Sequence, residues 1–123
     1  MAQLNPKIWP TEIRLRNEGR TLRVSFETGD TFDLDAEYLR VESPSAEVQG
    51  HSPDQRKWIG GKRNVRIKDM HAVGNYAVQL DFDDGHTTGI YPWEVLFHLG
   101  SFKAEIWAIY ETKIAEKGLS RDA

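Results

Sequence analysis

From Val73 to Gly100 the chain runs VGNYAVQLDFDDGHTTGIYPWEVLFHLG, and no other stretch constrains the fold as tightly. Tyr76, Val78, Leu80 and Phe82 alternate with Ala77, Gln79 and Asp81, the period of a strand with one buried face. Asp84-Gly85 fits a two-residue type I′ turn, whose central residues both take positive φ. That turn sets Asp83 directly opposite His86. Thr87 to Tyr91 is the return strand, and Pro92 opens a short helix at a position where a backbone N–H is not needed. Trp93, Leu96 and Phe97 give this helix an apolar side.

The same alternation organises the N-terminal part. Ile13 and Leu15, then Leu22, Val24 and Phe26, then Phe32 and Leu34 mark three strands. The turns between them, Asn17-Glu18-Gly19 and Thr28-Gly29-Asp30, are too short for a crossover, so the three form an antiparallel meander. Residues 1–10 read as a flexible tail ended by Trp9-Pro10. Asp35 is positioned to cap a short helix from Ala36 to Arg40, with Tyr38 or Leu39 facing in. Val65 and Ile67 resume the strand pattern. Ser101 opens a helix over 101–117 with Phe102, Ile106, Ile109, Tyr110 and Ile114 as its apolar stripe, and Gly118 stops it. Residues 119–123 read as a fraying tail. These elements predict one α+β domain over 11–118: an antiparallel sheet of about six strands (meander plus hairpin), with a short helix after the hairpin and a C-terminal amphipathic helix packed on the sheet.

With 123 residues and no cysteine, the chain has a core-sized domain without disulfides, thiolate nucleophiles or Cys-ligated clusters. There is no apolar run of membrane-spanning length, and the N-terminal residues lack the pattern of a secretory signal, so a cytoplasmic location is expected. A net charge of −3 argues against a general nucleic-acid binder.

Between Glu42 and Asn64 all periodicity is lost: ESPSAEVQGHSPDQRKWIGGKRN is a long segment for a compact domain, functional or mobile. Arg56, Lys57, Lys62, Arg63, Arg66 and Lys68 surround Trp58 and Gly60-Gly61. They read as an anion or partner site or, more plainly, as a solvated loop. The Walker A pattern is absent, because Arg63 stands where Ser or Thr belongs. Asp81, Asp83, Asp84 and His86 cluster at the hairpin tip, either as a weak metal site or as a solvated cross-strand charge pair. Tyr91-Pro92-Trp93 lines a small groove or closes the core. Trp107 lies beside the helix stripe, as a partner contact or a cover for the sheet edge. Ser43, Ser45 and Ser52 lie near His51 in sequence without a nucleophile turn or an oriented base.

Taken together, the Val73–Gly100 stretch, LRVESPSAEVQGH at 39–51 and GGKRNVRI at 60–67 closely resemble the gamma-butyrobetaine hydroxylase-like N-terminal domain family. The resemblance covers roughly Thr11 to Gly100 and points to a small stand-alone bacterial member. In the related carnitine-pathway hydroxylases the domain precedes the catalytic one and holds a structural zinc through three cysteines and a histidine. The resemblance places Ser43, Ser45 and Val48 at the cysteine positions and His86 at the histidine position. One ligand of four remains, so neither zinc nor another cofactor is expected, and the two segments should still meet. The H-x-D/E start of an iron oxygenase site is missing after each histidine, so no oxygenase activity is expected. The family domain also occurs fused to iron–sulfur P-loop ATPases. That implies a non-catalytic adaptor with a protein partner, linked to iron–sulfur or redox proteins, whose surface draws on His51, Trp58, Lys62, Arg63, Asp83, Asp84, His86, Tyr91 and Trp93. Two alternatives are a weak metal-binding domain around His86 and His51, and the small-ligand-binding part of an enzyme system.

Overall fold

Strand β2 (Thr21–Phe26) carries the cleanest alternation: Leu22, Val24 and Phe26 are buried, while Thr21, Arg23 and Ser25 are half-buried. It lies between β1 (Pro10–Arg16) and β3 (Thr31–Asp35), antiparallel to both, with Val24 opposite Ile13 and Phe32. The structure is a computed structural model that describes residues 8–122. The expected tail at 1–7 lies outside the described residues. Residues 8–10 are not free: Ile8 packs on the core, the Trp9 carbonyl accepts the Glu27 N–H, and Pro10 begins β1.

The second half repeats the arrangement. β5 (Ala77–Phe82) lies between β4 (Ile67–Val73) and β6 (Gly89–Pro92), again antiparallel to both. The single six-stranded sheet expected from sequence is therefore corrected to two three-stranded sheets. Alternation fixes which face of a strand is buried, but not which edges pair. Here β3 passes straight into α1 (Ala36–Val41), and the chain runs on to residue 67 before another strand begins. Each sheet gives its inner face to one shared core, with Leu22, Val24 and Leu34 from the first and Ile67, Leu80 and Phe82 from the second. Tyr38 and Leu39 of α1, both buried, join them.

Both sheets use the same tight turn. The Phe26 N–H donates to the Asp30 carbonyl and the Gly29 N–H to that of Phe26; Phe82, His86 and Gly85 repeat the pattern. Gly29 and Gly85 take φ of 94° and 93°. The hairpin tip is thus a turn ending in a left-handed glycine bulge, not type I′, since Asp84 has no positive φ. Its consequence is that Phe82, not Asp83, stands opposite His86.

α3 (Trp93–Ser101) and α4 (Lys103–Glu116) close the domain. Ser101 ends α3 rather than capping α4. Asp35 precedes α1 without a side-chain cap bond. In α4 only Tyr110 and Ile114 of the expected stripe are buried; Ile106 is half-buried, and Phe102 and Ile109 are exposed. Trp107 turns inward instead, edge-on to Tyr38 and against Tyr110. The helix ends as anticipated at Gly118 (φ 69°), where the Gly118 and Leu119 N–H groups close onto Ala115 and Ile114. Within the expected tail, Ser120 and Arg121 are held to the body of the domain: Gly61 and Arg63 donate their N–H groups to these two carbonyls, and Arg121 pairs with Glu37 through two hydrogen bonds of 2.7 and 2.8 Å; Ala123 lies outside the described residues. Among the described residues no helix is long and apolar enough to cross a membrane.

Candidate functional site

Three short pieces of chain converge at the hairpin tip: the residues after α1, helix α2 (Ala46–Gln49), and residues 82–88. Ser45 sits at the N-cap of α2, where its Oγ accepts the Glu47 N–H at 3.1 Å. The same hydroxyl lies 2.8 Å from Thr88 Oγ1. Ser43 Oγ lies 2.9 Å from His86 Nε2, and Glu47 Oε2 lies 3.1 Å from His86 Nδ1. A carboxylate only accepts, so Nδ1 carries the proton and Nε2 accepts from the Ser43 hydroxyl. His86 is buried, and both ring nitrogens are engaged. Burial and the nearby Arg40 charge push its pKa down, against the pull of Glu47 and Asp84, so the neutral ring is favoured.

A charged shell surrounds this buried contact. Asp84 accepts from Arg40 at 2.8 Å and sits 2.6 Å from Lys62 Nζ, while its other oxygen accepts the His86 N–H at 3.0 Å. Burial alone would raise the Asp84 pKa; the bonds from Lys62, the His86 N–H and Arg40 outweigh it and hold the pKa at about 2. Glu42 pairs with Arg56 at 2.8 Å, and the Arg56 guanidinium lies 3.8 Å over the Trp58 ring. Beside that stack, Gln49, Gly50, His51, Pro53, Arg56 and Trp58 line a groove of about 510 Å³.

Three of the six cations read as a basic region are held in ion pairs. Arg56 is taken by Glu42, Lys62 by Asp84 and Arg63 by Asp122. His51 is exposed and its N–H is held by Gln55; Trp58 is half-buried against Val41, Tyr110 and Ile114. Asp83 is exposed and accepts the Arg66 N–H at 3.0 Å. Tyr91 is fully buried with its hydroxyl on the Leu39 carbonyl, and Trp93 packs against the core with Nε1 on the Asn75 carbonyl, so this corner closes the core. The structure thus gathers Ser43, Ser45 and His86, with Asp84 and Lys62 at the rim, and leaves His51 and Trp58 in the neighbouring groove. Glu47, Arg40 and Thr88 belong to the network although sequence reasoning did not single them out. For Glu47 a local signal existed, since it stands two residues beyond a capping serine.

The donors do not fit a tetrahedral zinc. Ser45 Oγ is spent on Thr88 and the α2 cap, Ser43 Oγ is bonded to the one imidazole, and buried Val48 offers no donor. What the arrangement does is pin the 42–50 segment to the hairpin.

Residues 13–97 match the family described as gamma-butyrobetaine hydroxylase-like, N-terminal. The chain belongs to this family. Two NMR solution structures are similar to this member: one is 43% identical over 93% of this chain and 90% of the other, with a TM-score of 0.80. The second is 41% identical over 98% and 90%, with a TM-score of 0.82. A crystal structure from Acidithiobacillus ferrooxidans, described as a protein of unknown function of the DUF971 family, is 39% identical over 79% of this chain and 98% of its own, with a TM-score of 0.65. No curated protein matches the chain.

Proposed function

We propose that this domain is a non-catalytic protein-interaction module, an adaptor that meets its partner through the groove beside Trp58 and the adjoining hairpin tip. The observation that carries the reading is the Arg56–Trp58 stack on the rim of a 510 Å³ groove. Tryptophan and arginine in one partly desolvated contact are the residues on which protein interfaces most often depend. The neighbouring polar centre supports the same reading. Ser43 and His86 are both buried, so their hydrogen bond, although it has the polarity of a nucleophile and its base, is closed to a substrate. The link to iron–sulfur or redox proteins is the more specific part of the proposal, and it rests on the family resemblance alone.

The test compares the wild-type domain with a His51→Ser, Lys57→Ser variant, both positions being exposed, in affinity capture followed by hydrogen exchange on each reconstituted complex. The expected result is a partner bound by the wild type and lost by the variant, with protection over residues 49–58. A partner that binds both proteins equally, or protects another face, would reject the groove; wild-type protein that captures nothing reproducibly would reject the adaptor reading.

A further inference from the structure

The solvent face of the second sheet carries a group that the function above does not use. In β4 the register slips by one residue between Ile67 and Asp69. Without that bulge Asp69 would share the buried face of Ile67; with it, Asp69 turns outward and pairs directly with Asp81 of β5. His71 follows two residues later on the same face. Two carboxylates directly opposite each other destabilise a strand pair unless a cation lies between them.

Their oxygens are also sorted. Asp69 Oδ1 accepts the Met70 N–H at 2.9 Å, and Asp81 Oδ1 lies 3.3 Å from Gln79 Nε2, itself on the Thr87 carbonyl. The other oxygen of each turns to one imidazole nitrogen: His71 Nε2 lies 2.9 Å from Asp81 Oδ2 and 3.6 Å from Asp69 Oδ2. All three donor atoms lie within 4.8 Å of one another. Ligands at about 2.0–2.2 Å from a shared ion stand roughly 2.8–3.6 Å apart, and the two contacts to His71, 2.9 and 3.6 Å, fall in that range. The outer bonds from Met70 and Gln79 act as the supporting contacts that metal sites use to orient their ligands.

We propose that Asp69, His71 and Asp81 form a binding site for one divalent first-row transition-metal ion, held by the two Oδ2 atoms and His71 Nε2, with water completing its shell. One imidazole with two carboxylates suits zinc, cobalt or manganese. The ion replaces the proton that otherwise bridges His71 and Asp81. None of these residues belongs to the His86 network, so the site stands or falls independently of the adaptor reading.

The test is calorimetric titration of untagged full chain with Zn²⁺, alongside His71→Gln, Asp69→Asn and a control at the exposed His98, His98→Gln, with amide NMR spectra recorded on addition of Mn²⁺. The expected result is one equivalent of Zn²⁺, at least tenfold weaker binding in each of the first two variants, and no change in the control. Mn²⁺ should broaden the amides around 69–71 and 79–81 first. Asp69 and His71 are exposed, so both variants should keep the wild-type amide dispersion. No saturable Zn²⁺ binding, affinity unchanged in both variants, or broadening centred on residues 83–86 would each overturn the proposal.

Discussion

Ser43 Oγ meets His86 Nε2 at 2.9 Å, across 43 residues of chain. Neither residue belongs to a long element, so this contact and the Glu47 bond on the other ring nitrogen fasten an otherwise aperiodic segment to the second sheet. Ser43→Ala should leave the buried Nε2 without its donor and destabilise the domain by about 1–3 kcal/mol. His86→Ala also opens a cavity beside Phe82 and should cost about 2–4 kcal/mol. Chemical denaturation measures both. Equal stability of His86→Ala and wild type would show that the bridge holds nothing.

The same cluster sets an acid limit. The His86 pKa is depressed in the folded protein, so the unfolded chain binds the extra proton first, and stability is lost as pH falls below about 6.5 toward the folded value. Asp84 is depressed as well, from 3.8 to about 2, so its contribution is present above pH 4 and disappears between pH 4 and 2. Denaturation midpoints across this range should fall in two stages. Asp84→Asn should flatten the lower stage and leave the upper one, and His86→Gln should do the reverse. A wild-type profile unchanged between pH 7 and 5 would contradict the assignment of a neutral, buried His86.

Two glycines are required for different reasons. At Gly19 φ is +85° and a Cβ would lie 2.2 Å from the Ile67 carbonyl oxygen, so both conformation and space exclude a side chain where the first meander turn touches the second sheet. Gly19→Ala should destabilise by at least about 2 kcal/mol. At Gly89 the backbone is ordinary, but a Cβ would stand 2.8 Å from Ser43 Oγ and 3.0 Å from Tyr91 Cε1. Gly89→Ala should push Ser43 off His86 and move the His86 ring resonances in NMR spectra. Gly29→Ala, which meets open space at φ +94°, separates the strain of a left-handed position from steric conflict and should be milder than Gly19→Ala.

Much of the fold was legible because alternation is local. The meander, the hairpin and α3 follow from residues that recur every second or third position, and the buried set Leu22, Val24, Leu80 and Phe82 follows with them. The meeting of Ser43 with His86 followed only from the family resemblance. Other features depend on distant pairs that no window contains. The cations of 56–63 look like a basic patch until Glu42, Asp84 and Asp122 are folded onto them. The bulge that turns Asp69 outward leaves no mark in the pattern, since strict alternation from Ile67 puts Asp69 inside. Trp107 was ambiguous because α4 packs on Tyr38 and Val41 of α1 as well as on the sheet core, which rotates its buried stripe toward Tyr110 and Ile114.

The end of the chain gives the last prediction. Glu37 lies in α1 with its side chain only 7% exposed, and both carboxylate oxygens are bound by Arg121. Arg121 also lies 5.1 Å over the Trp107 ring. Removing the arginine leaves a buried charge without its partner, a loss of about 3 kcal/mol for well-buried pairs and less here because Arg121 is 28% exposed. Arg121→Ala should therefore lower stability by about 2 kcal/mol and increase amide exchange at Gly61 and Arg63, whose N–H groups bond to Ser120 and Arg121. Adding Glu37→Gln removes the stranded charge, so the double variant should be more stable than Arg121→Ala alone. A double variant that is additively worse would mean that Arg121 acts through Trp107 rather than through Glu37.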